Sequence, residues 1–384
     1  MIPYGRQTIS DTDIDSVVQV LRSEFLTQGP QLAAFEAAIT RRVGVPHAIA
    51  VNSATSALHL ACLALNLGLG DWLWTSPNSF VASANCGLYC GAKVDFVDID
   101  PRTYNMSVQA LAEKLVWAKT AGRLPKVVIP VHFAGQPCDM HAIAALAQEY
   151  DFKVVEDASH AIGSRWRASH VGACEHSDIT VFSFHPVKII TTGEGGILTT
   201  RNPTIAQQLT DLRSHGITRD AARFEHEDPG SWYYEQQSLG HNYRMTELQA
   251  ALGVSQMAEL DRFISRRHEL VGRYEDGLQG LPLVCPWQHP DADSAFHLYV
   301  IQVTEKTGIN RRELFDAMRD AGILVNVHYI PIHLQPVYRR LGFKVGDFPV
   351  AEAYYDRAIS LPLYSGLSNS DQDFVIRKIK EFVL

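Results

Sequence analysis

The chain has 384 residues, enough for two or three domains at roughly 150 residues each. Its 34 basic and 42 acidic residues leave a formal charge of −8, so no general attraction to nucleic acid or anionic lipid is expected. A hydrophobic fraction of 46% with 20% charged residues excludes disorder over most of the length. No run of about 20 residues is apolar enough to span a bilayer.

The opening residues, Met1 to Gln7, lack the apolar core of a secretory signal. Six cysteines (Cys62, Cys86, Cys90, Cys138, Cys174, Cys285) contain no close CxxC pair, so neither a disulfide framework nor zinc-ligand spacing is present. A reducing cytoplasm and no bound metal are the expectations. Cys86 and Cys90, four apart on an expected helix, read as small core residues.

In chain order, Ser10 can cap a helix with Ile14, Val17, Val18 and Leu21 on one face and Asp13 completing a box-like start. A second helix carries Leu32, Phe35, Ile39 and Val43 and stops at Gly44. Short β-rich runs then recur at His47–Val51, Trp72–Ser76, Lys93–Ile99, Lys126–Val131, Lys153–Glu156, Asp178–Phe184 and Gly196–Thr200. Helical stretches such as Ser107–Lys119 and Met140–Tyr150 lie between the earlier ones. Strand and helix in alternation predict a mostly parallel sheet covered on both faces, an α/β fold.

Thr218–Gln237 is polar and aromatic without a period, and is expected to be a long surface loop. Met245–Gly280 reads as one long helical pattern. Two strands, Phe296–Thr304 and Ile323–Tyr329, then flank a helix near Asn310–Ala321. The domain reading is a large α/β unit over residues 1–245, a connecting long helix over 246–280, and a small α+β unit over 281–384.

Three segments at strand ends carry chemistry. Asn52-Ser53-Ala54-Thr55-Ser56-Ala57-Leu58 follows a strand and opens a helix, so free backbone amides could receive a phosphate; an ordinary Ser-capped helix would look the same. Asp157, in Val154-Val155-Glu156-Asp157-Ala158-Ser159-His160, ends a buried strand. Its carboxylate needs a cation or several donors, and either a protonated cofactor ring or the cap of the next turn would serve. Lys188 sits between a strand and the turn Gly193-Glu194-Gly195-Gly196. A desolvated amine there would be a nucleophile, although a lone lysine is commonly a solvated surface residue. That turn lacks the Lys-Ser/Thr of a P-loop, and no GxGxxG occurs, so ATP and nicotinamide chemistry have no support. Together, Lys188, Asp157 and the phosphate cradle match what pyridoxal phosphate (PLP) needs: a Schiff-base lysine, a carboxylate at the pyridine nitrogen and an anion site.

On these residues the chain resembles the DegT/DnrJ/EryC1/StrS sugar aminotransferases, nearly end to end. The likeness covers Leu26-Thr27-Gln28-Gly29, Asn52–Leu58, Ser79–Asn85, Asp157–His160, Ser183-Phe184-His185, Lys188, Glu194-Gly195-Gly196, Arg213-Ser214-His215-Gly216 and Gly240–Glu247. Such a resemblance implies a fold-type I PLP-dependent aminotransferase, with PLP bound by the large domain, working as a homodimer with a shared active site. Asn52–Leu58, Ile189–Thr192 and Val327–Ile332 resemble the pseudaminic acid branch. That branch moves an amino group from L-glutamate to C4 of a UDP-linked 2-acetamido-2,6-dideoxy-4-keto hexose.

Residue by residue, the resemblance implies that Lys188 holds PLP and shuttles the proton while Asp157 keeps the pyridine nitrogen protonated. Phe80 would stack on the ring. Ala54, Thr55, Ser183 and the partner subunit's Asn242 would hold the phosphate and neighbouring groups. His160, where relatives often carry Gln, would bond the ring hydroxyl. The nucleotide sugar would meet Tyr4, Glu24, Phe25, Leu26, Thr27, Ala54, Ser183, His185, Asn242, Val327, His328, Tyr329 and Ile330. His328 and Tyr329 could equally be partly buried aromatics. Arg219 and Arg244 are candidates for the donor carboxylate.

Trp72 and Trp74 depart from the family pattern and read as core fillers, and Thr218–Gln237 matches it poorly. Rival readings are a UDP-4-keto-arabinose or a 3-keto sugar as substrate and a non-catalytic PLP- or sugar-sensing regulator. A dehydratase branch with His in place of the lysine is opposed by Lys188.

Overall fold

A computed structural model of the chain describes residues 1–227 and 229–384. Ser10 starts helix α1 (Asp11–Leu21) through the expected box: its side chain accepts the Asp13 amide, and the Asp13 carboxylate accepts the Ser10 amide. Helix α2 (Pro30–Val43) begins on a proline and ends at Gly44, whose φ of 74° is the left-handed turn that lets the chain leave.

After a short N-terminal strand β1 (Ile2–Pro3) come β2 (His47–Val51), β3 (Trp72–Thr75), β4 (Lys93–Phe96), β5 (Val127–Ile129) and β6 (Lys153–Asp157). A small hairpin, β7 (Arg165–Trp166) and β8 (Ser169–His170), precedes β9 (Ile179–Ser183) and β10 (Gly196–Thr200). A seven-stranded sheet runs in the order β2-β10-β9-β6-β5-β3-β4. Strand β10 is antiparallel to both neighbours, and the other pairings are parallel. Strand β9 is buried along its whole length, which is why its sequence is apolar without alternation. The ladder of the expected strand Lys93–Ile99 ends at Phe96, and Ile99 makes only an isolated bridge to Met106. Beyond Phe96, Asp98 turns aside to accept the amides of Val350 and Ala351.

Helices α3 (Ala54–Ala64), α4 (Ala82–Tyr89), α5 (Val108–Ala121), α6 (Met140–Tyr150) and α7 (Pro203–Arg213) alternate with these strands. Trp74 fills the core between the sheet and α5, as expected. Trp72 is only half-buried at the sheet's end, under Lys93 and Arg123.

The helical pattern from Met245 is not one rod but two helices, α8 (Glu247–Ala258) and α9 (Leu260–Leu278), meeting at Glu259. Ala250, Leu260 and Phe263 pack with Phe35 and Phe184, whereas Leu270, Tyr274 and Leu278 pack with Tyr299, Leu314 and Ile379. The break lets one apolar stripe serve two cores. The second core is built on a three-stranded antiparallel sheet of Leu283–Val284, Tyr299–Val303 and Ala358–Leu361.

One further expectation is corrected and one refined. The strand foreseen over Ile323–Tyr329 forms a ladder only at Ile323–Leu324, with β1, and then a single bridge from Asn326 to Ser360. Farther on, His328 and Tyr329 find side-chain partners instead of a ladder. The Thr218–Gln237 segment is organised. Ile217–Thr218 pairs with Glu235–Gln236, and the buried Glu235 carboxylate accepts the amides of Glu225 and His226. Asp228, within this segment, lies outside the described residues. No described helix is long and apolar enough to cross a membrane.

Glu156 and Asp157, adjacent on β6, face opposite sides of the sheet as strand alternation requires. Glu156 accepts the Nε2–H of His132 at 2.7 Å and the hydroxyls of Ser177 and Thr180. His132 Nδ1 accepts the Cys138 amide, which puts the ring proton on Nε2. Burial opposes ionisation of Glu156, but these donors hold its carboxyl below the ordinary 4.5. A carboxyl depressed by folding adds stability above its unfolded pKa and loses it as pH falls through the folded one. Glu156→Gln, which turns an amide toward donors, is therefore expected to cost about 1–3 kcal/mol at neutral pH and to flatten the loss of stability below pH 4.5. Urea unfolding at neutral and acidic pH checks this, and unchanged curves would contradict it.

Candidate active site

Ligands of open α/β sheets collect beyond the carboxyl ends of the strands, and here β6 and β9 end at Asp157 and Ser183 beside a cleft of ≈ 570 Å³. That volume suits a cofactor or a small substrate. Its wall brings together Tyr4, Ala54, Thr55, Phe80, Asp157, His160, Ser183, His185, Lys188, Val327, His328 and Tyr329 from the sequence-predicted set. It also includes Ser53, Ser79, Ser159, Glu194, His297 and Asn326, to which the sequence attached no role.

Lys188 hangs on a tight turn after β9, its amide bonded to the His185 carbonyl at 2.9 Å. Ile189 and Ile190, both buried, pin the loop from below, and Thr191 ties back to the Phe184 carbonyl. Burial pushes the Lys188 amine down to about 8, with Asp157 pulling the other way. The place of Lys188 in the cleft wall, only partly exposed, sets the solvated-surface reading aside.

Asp157, 4% exposed, meets the capping expectation and still faces the cleft. Oδ1 accepts the Ser159 amide and hydroxyl, capping the next turn, while Oδ2 accepts the Ser83 hydroxyl at 2.6 Å. Ser83 and Ser159 both lay within quoted motifs, but only the fold shows what they hold.

Ser53 caps α3 by accepting the Ser56 amide, so Ala54 and Thr55, in the first turn, have amides with no carbonyl behind them. Gly196 makes this approach possible: a Cβ there would stand 2.6 Å from the Ala54 nitrogen. An anion fits that point through the amides and the helix dipole. Phe80, 60% exposed, presents its ring at the cleft wall. His185 lies 4.0 Å from Glu194 at the exposed mouth.

Three imidazoles in the cleft are held uncharged. Burial, then the positive charge of Lys188, depresses His328 to about 3 and puts His160 well below the usual range. Burial, then His160 and Lys188, does the same to His297. The bond foreseen from His160 to a cofactor hydroxyl has no free nitrogen to make it. Nδ1 accepts the Ala134 amide, and Nε2 meets the Tyr329 hydroxyl at 3.0 Å. His297 carried no motif, and only its place behind His160 marks it.

Glu24, Phe25, Leu26, Thr27, Asn242 and Ile330 do not line this cleft. Thr27 bridges to Thr246, the Leu26 carbonyl accepts the Glu247 amide, and the buried Glu247 carboxylate accepts the amides of Gln31 and Leu32 at the start of α2. Gly29 is required there, since a Cβ would meet Glu247 Oε2 at 2.7 Å. Asn242 is exposed and bridges to Ser214. Arg219 stacks on Tyr234, the backbone of Arg244 bridges to Val51, and neither residue lines the cleft.

A mostly parallel sheet whose carboxyl ends hold an amine, a carboxylate and an open helix start has the architecture of the fold-type I aminotransferases. Residues 7–380 match the model of the DegT/DnrJ/EryC1/StrS aminotransferase family, and the chain belongs to that family. The spore coat polysaccharide biosynthesis protein SpsC of Bacillus subtilis (strain 168) is 42% identical over 386 residues, covering 100% of this chain and 97% of that protein. The Helicobacter pylori aminotransferase PseC, described as involved in pseudoaminic acid biosynthesis, superposes with a TM-score of 0.90 at 30% identity, covering 100% of this chain and 99% of that one. A Streptococcus pneumoniae protein in its PMP form gives the same TM-score of 0.90 and identity of 30%, with coverage of 100% and 99%.

Only an uncharged amine attacks an aldehyde. Lys188 should therefore capture pyridoxal phosphate with a rate that rises as pH climbs through about 8. Borohydride trapping across pH with peptide mass spectrometry checks this, and a midpoint at the ordinary 10.5 would contradict a desolvated amine.

Proposed function

We propose that the protein uses pyridoxal phosphate to move an amino group from L-glutamate to C4 of a UDP-linked 2-acetamido-2,6-dideoxy-4-keto hexose, as in pseudaminic acid biosynthesis. The observation that carries the reading is the depressed amine of Lys188 sharing one cleft with the buried Asp157 carboxylate. The fit of the cofactor rests on two further features: the amides of Ala54 and Thr55, which have no partner among the described residues, and Asp157, whose hydrogen-bond partners among them are two hydroxyls and an amide.

Pyridoxal phosphate, when bound, supplies an electron sink for the carbon that gives or receives nitrogen. Lys188 would hold it covalently, Asp157 would keep its ring nitrogen protonated, Ala54, Thr55 and Ser183 would take its phosphate, and Phe80 would cover its face. Lys188 Nζ would take the α-proton of L-glutamate and, in the second half-reaction, deliver a proton to C4 of the sugar. Tyr4, His185, Val327, His328 and Tyr329 would border the sugar, with Phe133 and Tyr354 packed behind Tyr329. Glu24–Thr27 and Asn242, exposed and outside the lining of their own cleft, would serve the cleft of a second copy in a homodimer. Six free thiols suit the reducing cytoplasm in which nucleotide sugars are made.

A second reading keeps the chemistry and changes the sugar. It is favoured by the higher identity to SpsC, whose name places it in spore coat polysaccharide biosynthesis. NMR of the product formed from the UDP-4-keto sugar and glutamate separates the two: nitrogen at C4 supports the first reading, and no turnover of that sugar removes it. Lys188→Ala should show no turnover, and Asp157→Asn should slow it on the order of 10²-fold. Normal rates in either variant would contradict the assigned roles.

A further inference from the structure

We infer that the Tyr329 hydroxyl, oriented by His160, donates the hydrogen bond that receives the keto oxygen of the acceptor sugar; this rests on the aminotransferase reading above.

The direction of each bond follows from one fixed donor. The Ala134 backbone N–H donates to His160 Nδ1 at 3.2 Å. A ring nitrogen that accepts carries no proton, so the neutral imidazole bears its proton on Nε2. Nε2 lies 3.0 Å from the Tyr329 oxygen, so His160 donates and the phenol accepts. Tyr329 keeps its own hydrogen, and no acceptor for it is present among the described residues. Both rings border the cleft with Lys188 and Asp157.

The phenol is held from several sides. Its ring lies nearly parallel to His160, at 21°, and its backbone amide donates to Asn78 Oδ1 at 3.2 Å. His297 backs His160 with ring centroids 4.4 Å apart. Burial, then Asp157, raises the Tyr329 hydroxyl above its ordinary value, and burial keeps His160 uncharged. Near neutral pH both are therefore neutral donors.

A neutral O–H in a desolvated wall matches a neutral acceptor. The carboxylates of glutamate call for cations or several donors. A ketone oxygen offers lone pairs and gains negative charge as nitrogen adds to its carbon. A hydrogen bond aimed at it draws density from that carbon and strengthens along the reaction. Tyr329 thus touches the substrate, and His160 is a positioning residue acting through it.

The tautomer is tested without turnover. Long-range ¹H–¹⁵N correlation of the histidine rings, with the His160 signal assigned by its loss in His160→Gln, should show the Nε2–H form near neutral pH. The Nδ1–H form or an imidazolium would overturn the inference. The two half-reactions are then followed separately in the holoenzyme. Tyr329→Phe should leave conversion of L-glutamate to 2-oxoglutarate within about twofold and slow consumption of the keto sugar on the order of 10²-fold. His160→Gln, whose amide can accept from Ala134 and donate to Tyr329, should retain the second half-reaction, whereas His160→Leu should lose it. A Tyr329→Phe enzyme that consumes the sugar at the wild-type rate, or loses both halves equally, overturns the inference. A wild-type enzyme that runs neither half overturns the parent reading instead.

Discussion

A carboxylate in the interior must be surrounded by donors, and Asp157 organises the centre of this molecule on that account. Three donors, one from Ser83 and two from Ser159, converge on it, and the two residues tie different pieces of chain to the end of β6. Ser83 comes from the first turns of α4, and Ser159 from the turn that carries His160. One residue earlier, Glu156 repeats the solution on the other face with His132, Ser177 and Thr180. Two adjacent acids on a fully buried strand end would be ruinous if both faced one side. Strand alternation separates them, so one serves the core and the other the cleft.

The same economy appears in segments that look functional in sequence and prove to hold the frame. Arg213, the first residue of a quoted motif, is buried and donates to Glu36 and to the Ala50 carbonyl. It thus covers the free edge of β2 one residue before the chain reaches Val51 and Asn52. Glu247 closes another motif, and its carboxylate caps α2 from more than 200 positions away in sequence. These residues keep β2 and the α3 start in place, and so shape the cradle at Ala54 and Thr55 without lining the cleft.

Legibility followed the range of the forces involved. Capping at Ser10 and Gly44, and two-sided burial of the sheet strands, are local or periodic properties, and each was readable from a short window. Lys188, Asp157 and Ala54 were readable because strand ends in an α/β sheet converge. What escaped depended on contacts distant in sequence. The break at Glu259 reflects two cores competing for one stripe. His328 and Tyr329 abandoned their predicted strand, with Ser360 and His160 satisfying their side chains. Glu235 turned an aperiodic loop into a folded one through bonds that no composition rule detects.

The cleft's electrostatics carry one further consequence. Among the described residues that line it there is no arginine, the imidazoles of His160, His297 and His328 are held uncharged, and its one lysine titrates near 8. A single chain therefore offers neutral donors and open amides, which suit phosphate at a helix start and uncharged sugar oxygens. It offers little to a bare diphosphate or to the carboxylates of an amino donor. Under the proposed reading those anions must meet groups from beyond this wall. The exposed stretch Glu24–Thr27 and Asn242 sit outside it, next to the bridges with Thr246 and Ser214 that hold them. On that reading, the incomplete charge balance within one chain and the outward-facing residues would have one explanation, in which a second copy meets the anionic ends of the substrates.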